Sequence, residues 1–238
     1  MTYIPPTQKR AFVLTSNRDE LELRPTLPPE IYTYDNCKLI FPKDGKAGGS
    51  WIAISDKGNI NCLLNGGFIP HSKEEHHTQS RGTILVDFTL SALSTNAYFA
   101  QKDLRAVEPF TIVALNQSNG TMQNLATFIW DGNQKHFRQL DICSPHIWSS
   151  VTLYNEDQRN AKKEWFDRFY EEHKSSITKD KILDFHSGNP TNDHPIGLVT
   201  SREGGLKTVS ITQVSMSKDK MQMSYFDLMN SSLREIEL

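Results

Sequence analysis

The amino-acid sequence predicts an α+β domain of mainly antiparallel sheets covered by helices. Two observations carry this. Strand-like segments are joined by tight turns, Asp56-Lys57-Gly58 and Gln117-Ser118-Asn119-Gly120 among them, and turns that short join antiparallel neighbours. Helical periodicity is grouped into two blocks, so the order runs strands, helices, strands, helices, strands, as in layered α+β folds rather than βαβ units.

The elements follow in order. Ala11 to Ser16 reads as a strand, and Arg24 to Glu30 as an extended loop stiffened by three prolines. Lys38 to Phe41 is a short strand, and Lys46 to Ser50 a turn in which glycines supply unusual backbone angles. Trp51 to Ser55 and Asn59 to Asn65 form a hairpin. Gly82 to Ser94 is a helix with Leu85, Phe88 and Ala92 on one face, followed by a shorter helical stretch from Asn96 to Lys102. Strands return at Phe110 to Asn116, Met122 to Trp130 and His136 to Leu140. Asn155 to His173 is a helix capped by Asn155, with Glu156 and Asp157 at the positive end of its dipole and Ala161, Trp165, Phe169 and Tyr170 as its buried stripe. Thr178 caps a further helix to His186, and strands are expected at Gly197 to Thr200, Lys207 to Val214 and Met221 to Leu228.

Composition bounds the function. The 238 residues read as one domain spanning 1–238, with no linker, repeat or low-complexity tract. Mean hydropathy is -0.52, yet 10% aromatic content argues against disorder. A net charge of -2 excludes a protein whose main work is neutralising nucleic-acid phosphates. No run approaches the ~20 apolar residues of a membrane span, and no basic region followed by an apolar core marks a signal peptide. Cys37, Cys62 and Cys143 are three, widely spaced and without a C-x-x-C, which suits thiols in a reducing cytoplasm better than disulfides or zinc. His71, His76 and His77 flank Glu74 and Glu75 without H-E-x-x-H spacing, and His186 and His194 surround the loop-like stretch Gly188 to Asp193, so no metal and no cofactor is expected. There is no G-x-S-x-G, P-loop or G-x-G-x-x-G.

Four short motifs occur in order: Asn17-Arg18-Asp19-Glu20 followed by Arg24-Pro25, then Gly48-Gly49-Ser50-Trp51, then Leu63-Leu64-Asn65-Gly66-Gly67, then Arg81-Gly82. In this combination the chain resembles the NRDE family (transport and Golgi organisation protein 2-like) over nearly its whole length. The resemblance implies a branch of the N-terminal nucleophile (Ntn) hydrolases. It therefore implies a four-layer αββα sandwich, and cysteine amidases of non-peptide C–N bonds as the enzymes of known type. In those the first residue attacks the amide carbonyl and its own α-amine is the base, which works near neutrality because an α-amine titrates near ~8. The carboxylate that holds the amine matches Asp19, and the oxyanion donor matches Asn65, a role that can contribute ~3 kcal/mol. A second donor would fall near Ser149 and Ser150, and a late cation at Lys207 or Arg202.

The same resemblance expects a cysteine about three residues upstream of Met1, and none of the internal cysteines replaces it. Three readings stay open: a start upstream of Met1, a non-catalytic binding module, and Thr2 as an N-terminal nucleophile. The last is disfavoured, since three residues move a side chain roughly 10 Å along a strand and onto its other face. Catalytic candidates are thus Asp19 and Asn65, and ligand-binding candidates Asn17, Arg18, Trp51 and Arg81. Five of these have a plainer alternative: a turn cap or a pair with Arg18 for Asp19, a turn residue for Asn65, an ion pair for Arg18, core or pocket wall for Trp51, and an acidic salt bridge for Arg81. The partner is a small molecule, left open to being anionic by the two arginines. The alternative function is a non-catalytic binding or trafficking protein for haem or an acyl/lipid-type anion. Nucleic acid and an integral membrane segment are not expected.

Overall fold

Two antiparallel sheets stack face to face, each covered by a pair of helices. The computed structural model describes residues 1–8, 10–188, 198–202, 204–217 and 220–238. The strands are β1 (Thr2–Ile4), β2 (Val13–Leu21), β3 (Thr26–Tyr34), β4 (Cys37–Asp44), β5 (Ile52–Ser55), β6 (Asn59–Asn65), β7 (Phe110–Ser118), β8 (Thr121–Trp130), β9 (Lys135–Gln139), β10 (His146–Ile147), β11 (Leu206–Ser217), β12 (Lys220–Asp227) and β13 (Ser232–Glu237). The helices are α1 (Arg81–Leu90), α2 (Thr95–Gln101), α3 (Glu156–His173) and α4 (Lys179–Ser187). One sheet runs β10-β1-β2-β11-β12-β13 and the other β3-β4-β5-β6-β7-β8-β9.

Three apolar layers hold the four together. Tyr3, Leu14, Ile40, Ile54, Val113 and Val214 meet between the sheets. Leu39, Ala53, Leu85, Phe99 and Phe128 pack the second sheet on α1 and α2. Ile4, Val13, Phe166, Ile182 and Phe185 pack the first sheet on α3 and α4. Neighbours in one strand, such as Leu39 and Ile40, are both fully buried because they feed different layers. Such strands read as continuous apolar runs rather than alternating ones. This is the αββα sandwich that the element order and the resemblance imply.

Several expectations are corrected. The NRDE tetrapeptide lies inside β2, which continues to Leu21, instead of following a strand. Arg24 to Glu30 is largely strand: Thr26 onward is β3, whose ladder shifts between Leu27 and Glu30, where Pro28 and Pro29 stand. Prolines are tolerated there because β3 is an edge strand. The helix of Gly82 to Ser94 ends at Leu90. In α3 the buried residues are Lys162 and Phe166, with Trp165, Phe169 and Tyr170 half-buried and Ala161 exposed. The expected strand from Gly197 to Thr200 is not strand over Leu198 to Thr200, and Gly197 and His194 lie outside the described residues. Strands β10 and β13 lack a sequence signal of their own. The capping box of Asn155 with Gln158 and the Thr178 cap are present.

Candidate functional site

The side chains of β2 alternate, and this alternation builds the site. Odd residues face the helix layer and even ones face the second sheet, the period of two that any strand imposes. Asn17 and Asp19 therefore point toward α3 and α4, whereas Arg18 and Glu20 point toward the β4–β5 turn. All four line a cleft of about 410 Å³ that also takes in Met1, Trp51, Asn65, Arg81, Lys162 and His186.

Asp19 is held by two hydroxyls. Thr208 Oγ1 donates to its Oδ1 at 2.5 Å and Tyr154 Oη to its Oδ2 at 3.2 Å. The β2–β11 register shifts between Thr208 and Ser210, opposite Asp19 and Arg18; a bulge at such a point re-aims side chains. Tyr154 is buried, which pushes its phenol up and keeps it a neutral donor. At the head of β1, the Met1 α-amine donates to the Trp148 carbonyl at 3.0 Å. Burial pulls that amine down to about 6, with Asp19 acting in the opposite direction.

Arg18 is buried and fully engaged. It donates to Asp44 Oδ2 at 2.7 Å and Thr26 Oγ1 at 2.6 Å, and its guanidinium lies 4.4 Å from the Trp51 ring centroid. Burial pushes the Asp44 carboxyl up, but the Ala47 N–H, Arg24 and Arg18 outweigh it and hold it below its ordinary range. Arg81 stands 3.5 Å from Glu108 and donates to the Pro109 carbonyl at 3.3 Å. Trp51 is pocket wall, and its buried Nε1 has no partner among the described residues. Asn65 ends β6 at the rim; its carbonyl accepts from Ser150 Oγ at 2.7 Å, while its side-chain amide has no partner among the described residues. Ser149 also lines the cleft. Of the late cations, Lys207 pairs with Glu22 at 2.7 Å, and Arg202 donates to the Leu153 carbonyl at 2.7 Å and sits 5.2 Å from the Tyr154 ring.

Asn17 is a brace. Its Nδ2 donates to the carbonyls of His186 at 3.0 Å and Leu198 at 2.9 Å. The His186 ring bridges Asn17 Oδ1 at 2.6 Å and Thr2 Oγ1 at 2.8 Å. The glycine motifs meet each other: a Cβ on Gly49 would fall 2.3 Å from the Gly82 carbonyl carbon, and Ser50 N–H donates to the Gly82 carbonyl at 3.2 Å. Their glycines thus let the β4–β5 turn abut the start of α1.

Sequence reasoning brought the NRDE residues, Trp51, Asn65 and Arg81 to one cleft but missed Lys162, His186, Tyr154 and Thr208. For Lys162 the signal was present: it is three and four residues before Trp165 and Phe166, on the buried stripe. A lysine there reads as solvent-facing because lysine is almost never fully buried.

The layer order of two antiparallel sheets between helix pairs is that of the Ntn-hydrolase-like fold. Solved structures agree on the fold. Penicillin V acylase from Agrobacterium tumefaciens is 9% identical with a TM-score of 0.59, over 100% of this chain and 86% of that one. The Caenorhabditis elegans ortholog of N-acylethanolamine-hydrolyzing acid amidase is 12% identical at TM-score 0.53, over 90% and 92%. A mutant conjugated bile acid hydrolase from Clostridium perfringens is 11% identical at TM-score 0.52, over 100% and 92%.

The chain belongs to the Transport and Golgi organisation 2 family, whose model matches residues 1–232. It is 30% identical over 98 residues to the Mus musculus homolog and 28% over 97 residues to that of Bos taurus. Each match takes in 39% of this chain and only 34% of the relative's length. Among the described residues no helix is long and apolar enough to cross a membrane.

Proposed function

We propose that the cleft is the site of an Ntn-type amidase acting on a linear, non-peptide C–N bond. The observation that carries this reading is the meeting of Met1, at the head of β1, with Asp19 in one cleft. A cysteine on the chain ahead of Met1 would supply the thiol and the free α-amine. The thiol sulfur bonds to the amide carbon and its proton passes to the amine. The C–N bond then breaks as that proton goes to the leaving nitrogen. Water cleaves the resulting thioester, releasing the carboxylic acid and restoring the thiol. Asp19 orients the amine, and the uncommitted amide of Asn65 donates to the oxyanion. The solved neighbours, an acylase, an amidase and a hydrolase, share the fold and lend the reaction class, not the substrate.

The test uses the chain carrying its native N-terminal extension. It is incubated with a panel of N-acyl amides and read by intact mass for a thioester adduct. An adduct that disappears in the Cys→Ala variant is expected; turnover without any adduct, or no turnover of any amide, overturns the reading.

A second reading is a non-catalytic binder of haem or an acyl/lipid-type anion. It is favoured by the apolar wall of Leu63, Leu64, Trp148, Leu153 and Leu198. Haemin at micromolar concentration distinguishes it: a shifted Soret band supports a haem binder, and an unshifted one removes haem from consideration.

A further inference from the structure

The cations of the cleft differ in one respect. Arg18 and Arg24 share Asp44, at 2.7 Å and 2.8 Å, and Arg81 faces Glu108. Lys162, on α3, is 2% exposed and lines the cleft, yet its ammonium has no hydrogen bond and no carboxylate within salt-bridge distance among the described residues. The ammonium lies 3.5 Å from the Tyr154 ring centroid. An ammonium carries three donors, and with no acceptor from the described residues on them they are left for whatever enters the cleft that Lys162 lines. The geometry points to Lys162 as a ligand subsite that receives a carboxylate carried by the molecule bound in the cleft.

The charge balance selects a carboxylate over a phosphate. Asp19 is the acidic group acting on Lys162, and Arg202 is the positive group acting against it. Asp19 is already bonded by Thr208 and Tyr154, and the exposed Lys73 stands at the rim. One buried ammonium matches a monoanion. A phosphate dianion would need a second cation as deep in the cleft; Arg18 and Arg24 are spent on Asp44, and Arg202 is exposed and donates to the Leu153 carbonyl. Burial pulls Lys162 down to about 8, so the lysine is still mainly charged at neutral pH. The proposal deepens the amidase reading by naming a substrate feature. It is read by binding alone, so it survives or fails independently of turnover.

The experiment uses phenylacetate, its neutral isostere phenylacetamide, and phenyl phosphate. Each is titrated to millimolar concentration against the protein and its K162M variant, with Trp51 and Trp148 in the cleft as fluorescent reporters. Saturable phenylacetate binding that weakens about tenfold or more in K162M is expected, a loss of about 1.4 kcal/mol. Phenylacetamide should bind both proteins alike, which also shows that the variant's cleft is intact. Equal affinity of wild type for the acid and the amide, unchanged phenylacetate affinity in K162M, or no saturable binding overturns the proposal. Tighter, Lys162-dependent binding of phenyl phosphate overturns the choice of carboxylate.

Discussion

Asn17 grips both the backbone and the ring of His186. Its Nδ2 donates to the His186 carbonyl at 3.0 Å while its Oδ1 stands 2.6 Å from Nδ1 of the same residue. The first bond fixes which end of the amide faces the ring, so Nδ1 carries the proton and Nε2 accepts from the Thr2 hydroxyl at 2.8 Å. Burial drives His186 well below its ordinary 6.5. A depressed folded-state pKa means the unfolded chain binds the extra proton first. Stability is therefore complete above about 6.5 and falls as pH drops from there toward the depressed folded-state value, by up to about 1.4 kcal/mol per pH unit. Urea unfolding at stepped pH should show this slope, and His186→Gln should flatten it; a slope unchanged in the variant refutes the assignment.

Lys162 has the same sign in a different window. Burial lowers it from 10.5 to about 8, so the unfolded chain holds the proton longer and stability rises between pH 8 and 10.5. The rise is at most about 3 kcal/mol. K162M should lose it, and denaturation midpoints at pH 8 and 10 measure the difference.

Asp19 acts against that depression, because its negative charge favours the lysine's proton. Asp19→Asn should lower the Lys162 titration further, visible by NMR of labelled lysine side chains. In a cysteine-bearing chain the same variant should cut kcat by 10²-fold or more, about 2.7 kcal/mol. A Lys162 titration that stays put would show that the two charges are not coupled.

Arg18 and Arg24 share Asp44 but differ in depth, with side chains 6% and 32% exposed. Removing the deeper one takes the buried cation from Asp44, leaving it Arg24 and its backbone donors, and uncovers Trp51. Arg18→Ala should therefore cost about 3 kcal/mol and Arg24→Ala under about 1 kcal/mol by urea unfolding. Arg18→Lys should recover little, since a point charge replaces neither the fork to Asp44 and Thr26 nor the stacking on Trp51.

Gly49→Ala should destabilise by more than about 3 kcal/mol, because its Cβ would meet backbone at 2.3 Å. Gly120→Ala, whose Cβ meets nothing within 4 Å but whose φ is +75°, should cost about 1 kcal/mol. Thermal unfolding ranks the two.

What the sequence disclosed follows from which signals are local. The Asn155 cap and the Asp56-Lys57-Gly58 turn depend on neighbours in the chain, and both are present as expected. The four motifs converge on one cleft, but their chemistry divides in space. Arg18 and Asp19 are adjacent in sequence, yet strand alternation sends one into an ion pair beneath Trp51 and the other to Thr208 and Tyr154. The partners Asp44, Glu108 and Thr208 lie 26, 27 and 189 residues from Arg18, Arg81 and Asp19, and no periodicity reports such distances. Strand β3 was obscured by prolines that only an edge position tolerates, and Lys162 by a residue type that seldom turns inward.

The most direct test of the amidase account is the intact mass and N-terminal sequence of the protein purified from its native host. The account predicts a mature chain that begins with cysteine a few residues ahead of Met1, placing its thiol and α-amine at the Asp19 end of the cleft. A mature chain that begins at Met1 or Thr2 contradicts it and leaves the cleft as a binding site.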